Sequence, residues 1–185
     1  MNPSCKKKTN RSKNVRVKTC AEIRAGEGGM AKSTPAVLAL QRAGVSFTLH
    51  AYEYDPGGQR VGLQAAEALG ANPAEVFKTL MALVDGKPVC AIAPSDREIS
   101  LKRLAAAAGG KSAKMMPPAD AERLTGYRVG GISPFGQRRP APVFLDETAL
   151  GFPLIFLNGG QRGLQVRLAP QDVLRVAGAT AAALV

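Results

Sequence analysis

The chain has 185 residues, a length that suits one hydrophobic core, and its 45% hydrophobic and 21% charged residues are typical of a globular domain. No stretch approaches the ~20 uninterrupted apolar residues of a membrane span. The basic N-terminus is not followed by the apolar run of a secretory signal. We therefore expect a cytoplasmic protein with no membrane partner.

The formal net charge of +11 is unevenly distributed. Residues 1–32 hold nine Lys or Arg and two Glu, whereas residues 33–185 hold 16 Lys or Arg and 12 Asp or Glu. Eleven of those 16 cations are Arg, whose planar guanidinium suits phosphate recognition. A genome rich in G and C would produce the same bias, so charge permits a nucleic-acid partner without proving one.

The usual catalytic side chains are scarce. The cysteines are Cys5, Cys20 and Cys90, none of them in a Cys-x-x-Cys pair, and His50 is the single histidine. A His/Cys metal site is therefore not expected, and no cofactor motif is present. A Ser-His-Asp or Cys-His mechanism would need His50, which falls in a predicted strand. An enzyme built on this chain must work largely without His, metal or thiolate.

Residues 1–29 are basic and lack hydrophobic periodicity, so we expect a disordered extension. A nucleic-acid-binding arm is one interpretation of its charge. Another comes from Gly26-Glu27-Gly28-Gly29, whose codons form a purine-rich run directly before Met30. Such a run is typical of a ribosome-binding site, and we expect translation to start at Met30. The predicted domain spans residues 33–185.

Gly, Pro and capping residues divide the first half of this domain. A helix begins at Thr34-Pro35 and ends at Gly44, and the strand 46–54 follows. A short helix over 63–69 and a helical turn from Asn72-Pro73 come next. Two apolar runs, 77–84 and 87–93, flank Asp85-Gly86, which is a strong signal for a β-hairpin.

The second half mixes helices with short strands. Helices are predicted from Ser100 to Gly109-Gly110 and from Pro117-Pro118 to Gly126. Strands are predicted over 142–146, 154–157 and 164–168, and a closing helix over 170–176. The last strand alternates, with Gln165 and Arg167 on the face opposite its apolar residues. These elements predict a single α+β domain with a mixed sheet.

Three segments combine polar groups with backbone freedom. In Val76-Phe77-Lys78-Thr79-Leu80, Lys78 shares a strand face with Val76 and Leu80. Such a lysine either extends to the sheet edge or points into a pocket, and spacing leaves both open. The other segments are the glycine-rich runs 126–136 and 158–163, which allow close approach to a ligand. A plain loop and a hairpin turn explain these two runs equally well.

Together these motifs resemble the YbaK family of free-standing tRNA-editing proteins, related to the insertion domain of bacterial prolyl-tRNA synthetase. The resemblance covers about residues 33–185. It rests on the following runs: His50-Ala51-Tyr52-Glu53-Tyr54-Asp55, Val76-Phe77-Lys78-Thr79-Leu80, Thr125-Gly126-Tyr127 to Gly136, and Asn158-Gly159-Gly160-Gln161-Arg162-Gly163-Leu164. The Phe-Lys-Thr run becomes specific when joined to Val-Gly-Gly-Ile-Ser-Pro.

The resemblance implies a strongly curved mixed sheet with flanking helices and a trans-editing deacylase without metal or cofactor. Its substrate would be Cys-tRNA(Pro), and also Cys-tRNA(Cys), bound through the 3′ aminoacyl-adenosine end, with prolyl-tRNA synthetase as a possible docking partner. The substrate thiol would attack its own ester and form a thiolactone. Lys78 would be the catalytic residue, and the substrate-binding residues would be Tyr52, Thr79, Gly130, Gly131, Ile132, Ser133, Asn158, Gly159 and Gly160.

Other functions stay open. Asn158 replaces a frequent serine of the family and Gln165 a frequent acid, so the chain is also compatible with a deacylase for another amino acid, such as Ala-tRNA(Pro). Alanine has no thiol, and an activated water would then be needed. A different class is a non-catalytic module that binds tRNA or a synthetase.

Overall fold

The computed structural model describes residues 16–19, 33–55 and 61–185. Within the N-terminal extension, Arg16–Thr19 forms strand β1, which pairs antiparallel with the strand Thr48–Ala51. These four residues thus differ from the expectation of disorder, because an edge strand with open N–H and C=O groups offers them partners. The rest of the extension, including the expected start at Met30, lies outside the described residues.

The described domain alternates short helices and strands. After β1, its elements are α1 (Pro35–Arg42), β2 (Thr48–Ala51), α2 (Val61–Leu69), β3 (Phe77–Val84), β4 (Lys87–Pro94), α3 (Leu101–Ala107), β5 (Ala113–Met115), α4 (Pro118–Thr125), β6 (Val143–Asp146), β7 (Ile155–Asn158), β8 (Leu164–Leu168), α5 (Pro170–Ala177) and β9 (Thr180–Ala182), with 3₁₀ turns at Pro73–Glu75 and Glu147–Gly151. The predicted helices and strands are all present. The strands β5 and β9 and the second 3₁₀ turn were not predicted.

Local hydrogen bonds explain where these elements begin. The Thr34 side chain accepts a hydrogen bond from the Val37 N–H at 3.1 Å and caps α1. Ser100 caps α3 in the same way. At the predicted hairpin, Asp85 and Gly86 adopt φ values of 46° and 81°, the left-handed pair that a tight two-residue turn requires.

The strands form two sheets. In the first the order is β1-β2-β8-β7, all antiparallel, and in the second it is β5-β3-β4-β6-β9, with β6 parallel to both of its neighbours. A bridge between Val76 and Phe156 joins the two at the start of β3. This arrangement confirms the predicted single α+β domain. The mixed sheet expected from the family is here divided in two.

The core lies on both sides of the second sheet. Four successive residues of β4, Cys90 to Ala93, are fully buried because β3 and β6 flank this strand and helices cover the sheet. Asp146, at the end of β6, is also buried, and its carboxylate accepts hydrogen bonds from the N–H groups of Leu184 and Val185. None of the helices in the described residues is long and apolar enough to cross a membrane.

Candidate active site

Lys78 is the second residue of β3 and pairs with Ala93 of β4. Its side chain is half-buried, and its Nζ donates a hydrogen bond to the Arg97 carbonyl at 2.5 Å. Arg97 belongs to the turn that follows β4, which therefore packs against the lysine. Of the two alternatives that spacing left open, the structure places Lys78 in the wall of a cavity.

This cavity has a volume of about 670 Å³ and opens to solvent beside β3. Its lining changes along the strand. Near the start of β3 lies a polar end, formed by Lys78, Thr79, Ser95, Asn158 and Gln165, and the charged turn residues Asp96, Arg97 and Glu98 also line the cavity. Near Met81 lies an apolar end with Met115 and Met116, which pair with this part of β3. Pro118, Ala121 and Val129 also line the cavity.

The polar end contains buried atoms that lack a partner. Thr79 Oγ1, Ser95 Oγ and Gln165 Oε1 are inaccessible to solvent and make no hydrogen bond with the described residues. Burying an unpaired hydroxyl or amide costs free energy, so native structures leave few of them unexplained. The residues that carry these atoms line the cavity, which makes its polar end a candidate for binding a polar ligand.

Two glycine-rich loops pack together beside the polar end. The first glycine loop spans residues 126–136 and the second spans 158–163. The Asn158 side chain joins them, since its Nδ2 donates to the Gly130 carbonyl at 3.0 Å and its Oδ1 accepts from the Gly160 N–H at 2.8 Å. A Cβ on Gly131 would lie 2.9 Å from the backbone nitrogen of Arg162, so the close approach of the two loops requires glycine at this position.

The same packing decides which backbone N–H groups are available. The N–H groups of Gly131 and Gly159 already donate to the carbonyls of Arg128 and Leu164. Gly131 and Gly159 were predicted to bind the substrate, and their N–H groups are here used to close local turns. Among the described residues, the N–H groups of Gly130, Ile132 and Ser133 have no acceptor.

The predicted site residues thus fall into two groups. Five line the cavity, namely Lys78, Thr79, Gly130, Ile132 and Asn158. The other five are not among the residues that line it: Tyr52, Gly131, Ser133, Gly159 and Gly160. Tyr52, for example, is buried against α2 and Phe156. Burial raises the pKa of its phenol, and its Oη approaches the Gln165 side chain without a hydrogen bond of good geometry.

Sequence reasoning missed five polar residues of the cavity, namely Ser95, Asp96, Arg97, Glu98 and Gln165. Ser95 follows β4 and packs so closely on α2 that a Cβ on Gly62 would lie 2.3 Å from its Oγ. Gln165 was predicted only to lie on the face of β8 opposite its apolar residues. It is nevertheless 4% exposed, because that face closes the cavity. The one sequence signal was that Gln165 stands where family members often have an acid.

The other reactive side chains lie away from the cavity. His50 is in β2, as predicted, where its ring contacts the Phe156 ring edge-on at 5.1 Å between centroids. Burial, and then the Arg167 guanidinium, lower its pKa. Cys90 is fully buried, and burial raises the pKa of its thiol to about 12. The described residues contain no group of three or more His, Cys, Asp or Glu that could hold a metal ion.

The sequence family is shown by comparison with known proteins. The model of the aminoacyl-tRNA editing domain matches residues 60–176, which include β3, both glycine loops and most of the cavity. The chain therefore belongs to the aminoacyl-tRNA editing domain family, and the YbaK-type resemblance is confirmed.

Three relatives illustrate the range of this family. EbsC of Enterococcus faecalis, whose name proposes a Cys-tRNA(Pro)/Cys-tRNA(Cys) deacylase, is 40% identical over 110 residues, covering 59% of this chain and 67% of EbsC. The multifunctional Ser/Thr-tRNA deacylase ProXp-y of Escherichia coli is 29% identical over 146 residues, covering 76% and 85%. A crystal structure described as a candidate trans-editing enzyme for prolyl tRNA synthetase superposes with a TM-score of 0.71 at 26% identity, covering 84% and 98%.

Proposed function

We propose that this editing protein is a trans-acting deacylase that removes cysteine from Cys-tRNA(Pro), and also from Cys-tRNA(Cys). The observation that supports this best is the polar end of the cavity, where Lys78 lies beside the buried, unpaired hydroxyls of Thr79 and Ser95. A small polar aminoacyl group fits such a place. The likeness to EbsC favours cysteine as that group.

The proposed reaction uses the substrate's own thiol. Its sulfur attacks the carbonyl carbon of the aminoacyl ester, so that a C–S bond forms while the bond to the ribose oxygen breaks. The thiol proton ends on that oxygen, and the products are a cysteine thiolactone and tRNA with a free 3′-terminal hydroxyl. The enzyme then needs only to hold the attacking geometry and stabilise the developing negative charge.

The chain offers groups for both tasks. The unpaired N–H of Gly130 lies at the cavity and is positioned to stabilise the carbonyl oxygen. Lys78 serves as a positive charge that positions the substrate through its phosphate, ribose or carbonyl oxygen. It is not the nucleophile in this proposal. Its hydrogen bond to the Arg97 carbonyl orients the ammonium group within the wall.

Prolyl-tRNA synthetase is the protein partner that we propose. The structural neighbour described as a candidate trans-editing enzyme for that synthetase supports this link. A synthetase that presents its own mischarged product would supply the tRNA selectivity.

A second candidate is removal of serine or threonine. The Escherichia coli relative is named for that activity, and two of the unpaired atoms in the cavity are hydroxyls that pair well with a substrate hydroxyl. A site that hydrogen-bonds a substrate hydroxyl discriminates strongly against analogues that lack it. The reaction would then require a water nucleophile.

Single-turnover deacylation of Cys-tRNA(Pro), Cys-tRNA(Cys), Ala-tRNA(Pro), Ser-tRNA and Thr-tRNA tests these functions together. We expect loss of label from the two Cys-tRNAs, and a decrease of at least about 10²-fold in the Lys78→Ala variant. Lys102→Ala, which changes an exposed lysine of α3, is the matched control and should retain full activity.

The panel also identifies what would overturn the proposal. Equal hydrolysis of Ser-tRNA and Cys-tRNA would exclude the substrate-thiol mechanism. Selective hydrolysis of Ser-tRNA or Thr-tRNA would establish the second candidate. Binding of tRNA without deacylation of any substrate would make the protein a non-catalytic module.

A further inference from the structure

The net charge of the domain is concentrated around the C-terminal end of α4 and the two glycine loops. Residues 33–185 hold 16 Lys or Arg and 12 Asp or Glu, an excess of four cations. Two acids, Asp120 and Glu122, and five exposed arginines lie in this part of the chain, which therefore carries three of the four excess charges. We name these arginines the arginine patch: Arg123, Arg128, Arg138, Arg139 and Arg162.

Backbone hydrogen bonds bring three of these arginines together at α4. The N–H groups of Arg138 and Arg139 donate to carbonyls in the last turn of this helix, at 2.9 and 3.1 Å, and Arg123 belongs to the same turn. The Arg138 side chain lies over the glycine that ends the helix. A Cβ on Gly126 would lie 3.5 Å from Arg138 Cβ and 3.6 Å from its Nε.

The other two arginines connect the patch to the cavity. Arg128 donates to one oxygen of the Glu122 carboxylate at 2.7 Å, and the other oxygen accepts from the Val129 N–H at 2.9 Å. Arg162 Nε donates to the Val129 carbonyl at 2.8 Å. Because Val129 and Gly130 line the cavity, the patch begins at the cavity wall and continues along the end of α4.

The positive charge of the patch is available to a partner. Arg123 and Arg128 pair with acids of α4, but their side chains stay 80% and 81% exposed, and ion pairs so exposed are weak. Arg138 and Arg139 form no ion pair with the described residues. The patch contains no lysine, whereas the remaining cations of the domain are six Arg and five Lys. Guanidinium groups bind phosphate through two parallel hydrogen bonds, so this composition favours a polyphosphate partner.

We propose that the arginine patch binds the phosphate backbone of the tRNA acceptor stem. This inference rests on the proposed function, since it takes aminoacyl-tRNA as the substrate. A cavity of about 670 Å³ has the size of a small-molecule site, so a paired RNA stem must lie on the surface around its opening, where the patch is. Phosphate contacts position an RNA without reading its sequence. The patch therefore adds affinity for every acceptor stem and leaves the choice of tRNA to other groups.

Two RNAs that carry no amino acid test this surface on the full-length protein. One is a hairpin that reproduces a tRNA acceptor stem with its single-stranded ACCA end, and the other is ACCA alone. In fluorescence anisotropy at low salt, the hairpin should bind about 10-fold more tightly or better. The logarithm of its Kd should rise linearly with the logarithm of the salt concentration, with a slope that reflects the number of phosphates neutralised.

Variants then assign this binding to the patch. The double variant Arg138→Gln/Arg139→Gln should weaken hairpin binding about 10-fold, lower the salt slope by about 2 and leave ACCA binding unchanged. Arg123→Gln, a second variant on a different element, should lower the slope by about 1. Lys102→Gln/Arg103→Gln removes the same charge from the exposed face of α3 and should bind as the wild type does. The buried residues of α3 belong to a different hydrophobic cluster from those of α4.

Several results would overturn the proposal: equal binding of the hairpin and ACCA, no binding of either, an unchanged salt slope in Arg138→Gln/Arg139→Gln, or equal weakening by the α3 control. Normal hairpin binding by that variant with weakened binding to prolyl-tRNA synthetase would make the patch a protein interface instead. Failure of the proposed function is distinguishable, since neither RNA carries an amino acid. If the patch variants behave as expected while Cys-tRNA is not deacylated, the RNA-binding surface stands and the choice of cysteine is wrong.

Discussion

The two ends of the hairpin β3–β4 treat their polar groups in opposite ways. At the turn end, the Asp85 carboxylate accepts hydrogen bonds from the N–H groups of Lys111 and Ser112 and from the Ser112 hydroxyl. At the other end, Thr79 Oγ1 and Ser95 Oγ are buried without a partner. The carboxylate at the turn is thus satisfied within the chain, whereas the two hydroxyls beside the cavity are not. Polar groups therefore stabilise the hairpin at its turn end and destabilise it at the cavity end.

The sharpest test of this contrast is Thr79→Val, which replaces the unpaired hydroxyl by a methyl group. Because the wild-type hydroxyl is buried without a hydrogen bond, we expect the free energy of unfolding to rise by about 1 kcal/mol. Deacylation should fall about 10-fold or more, since the substrate loses a partner. Urea unfolding and single-turnover assays measure the two effects. A destabilised variant with full activity would show that the hydroxyl serves the fold.

At the turn end we expect the opposite result from Asp85→Ala. The variant should unfold at a lower temperature and keep its deacylase activity, because three donors lose their acceptor far from the cavity. Asp120→Ala is the control, since that half-buried carboxylate makes an i,i+3 ion pair with Arg123 and accepts no backbone hydrogen bond from another element of the described residues. If Asp85→Ala lost activity but kept its stability, the turn end would serve the reaction and the contrast between the two ends of the hairpin would be wrong.

The loss of stability in Asp85→Ala should also depend on pH. Hydrogen bonds from the Lys111 and Ser112 N–H groups, and then from the Ser112 hydroxyl, lower the pKa of Asp85 from 3.8. A lowered carboxyl pKa adds stability above the unfolded-state value, and this stability is lost as the pH falls through the lowered value. The difference in unfolding temperature between wild type and Asp85→Ala should therefore be full at pH 7 and shrink in acid.

The smallest effect is expected at Cys90, in the middle of β4 between the two ends. The thiol is fully buried, and burial raises its pKa to about 12, so it is protonated and inaccessible at pH 8. In a Cys5→Ser, Cys20→Ser background, iodoacetamide should leave the native protein unmodified and label it once it is unfolded in urea. Cys90→Ala should retain activity. An inactive Cys90→Ala variant that is fully folded would mean that the nucleophile belongs to the protein.

Sequence patterns predicted the parts of the fold that depend on neighbours along the chain. Asp85-Gly86 defines its own turn, and Thr34 and Ser100 cap the helices that follow them. The three-residue strands β5 and β9 were missed because their pairing depends on distant partners, and three residues carry little periodicity. Arg16–Thr19 was missed because a charged segment became a strand only by pairing with β2.

The candidate site was predictable to a similar degree. Lys78 and Thr79 are marked by their contrast with an apolar run, and the glycine loops by composition. Gln165 was not recognised, because alternation along β8 says which face a residue shares but not what covers that face. Ser95 has no local pattern at all, and only the folded chain brings it beside α2.

The Asn158 side chain, which bonds Gly130 in one loop and Gly160 in the other, has a consequence for how this protein can change over evolution. A substitution in either loop is transmitted through one amide to its neighbour. Mutational effects in the two loops should therefore be epistatic. A shift in substrate choice would then tend to require paired changes, and transplanting a single loop from a relative would carry over only part of that relative's selectivity.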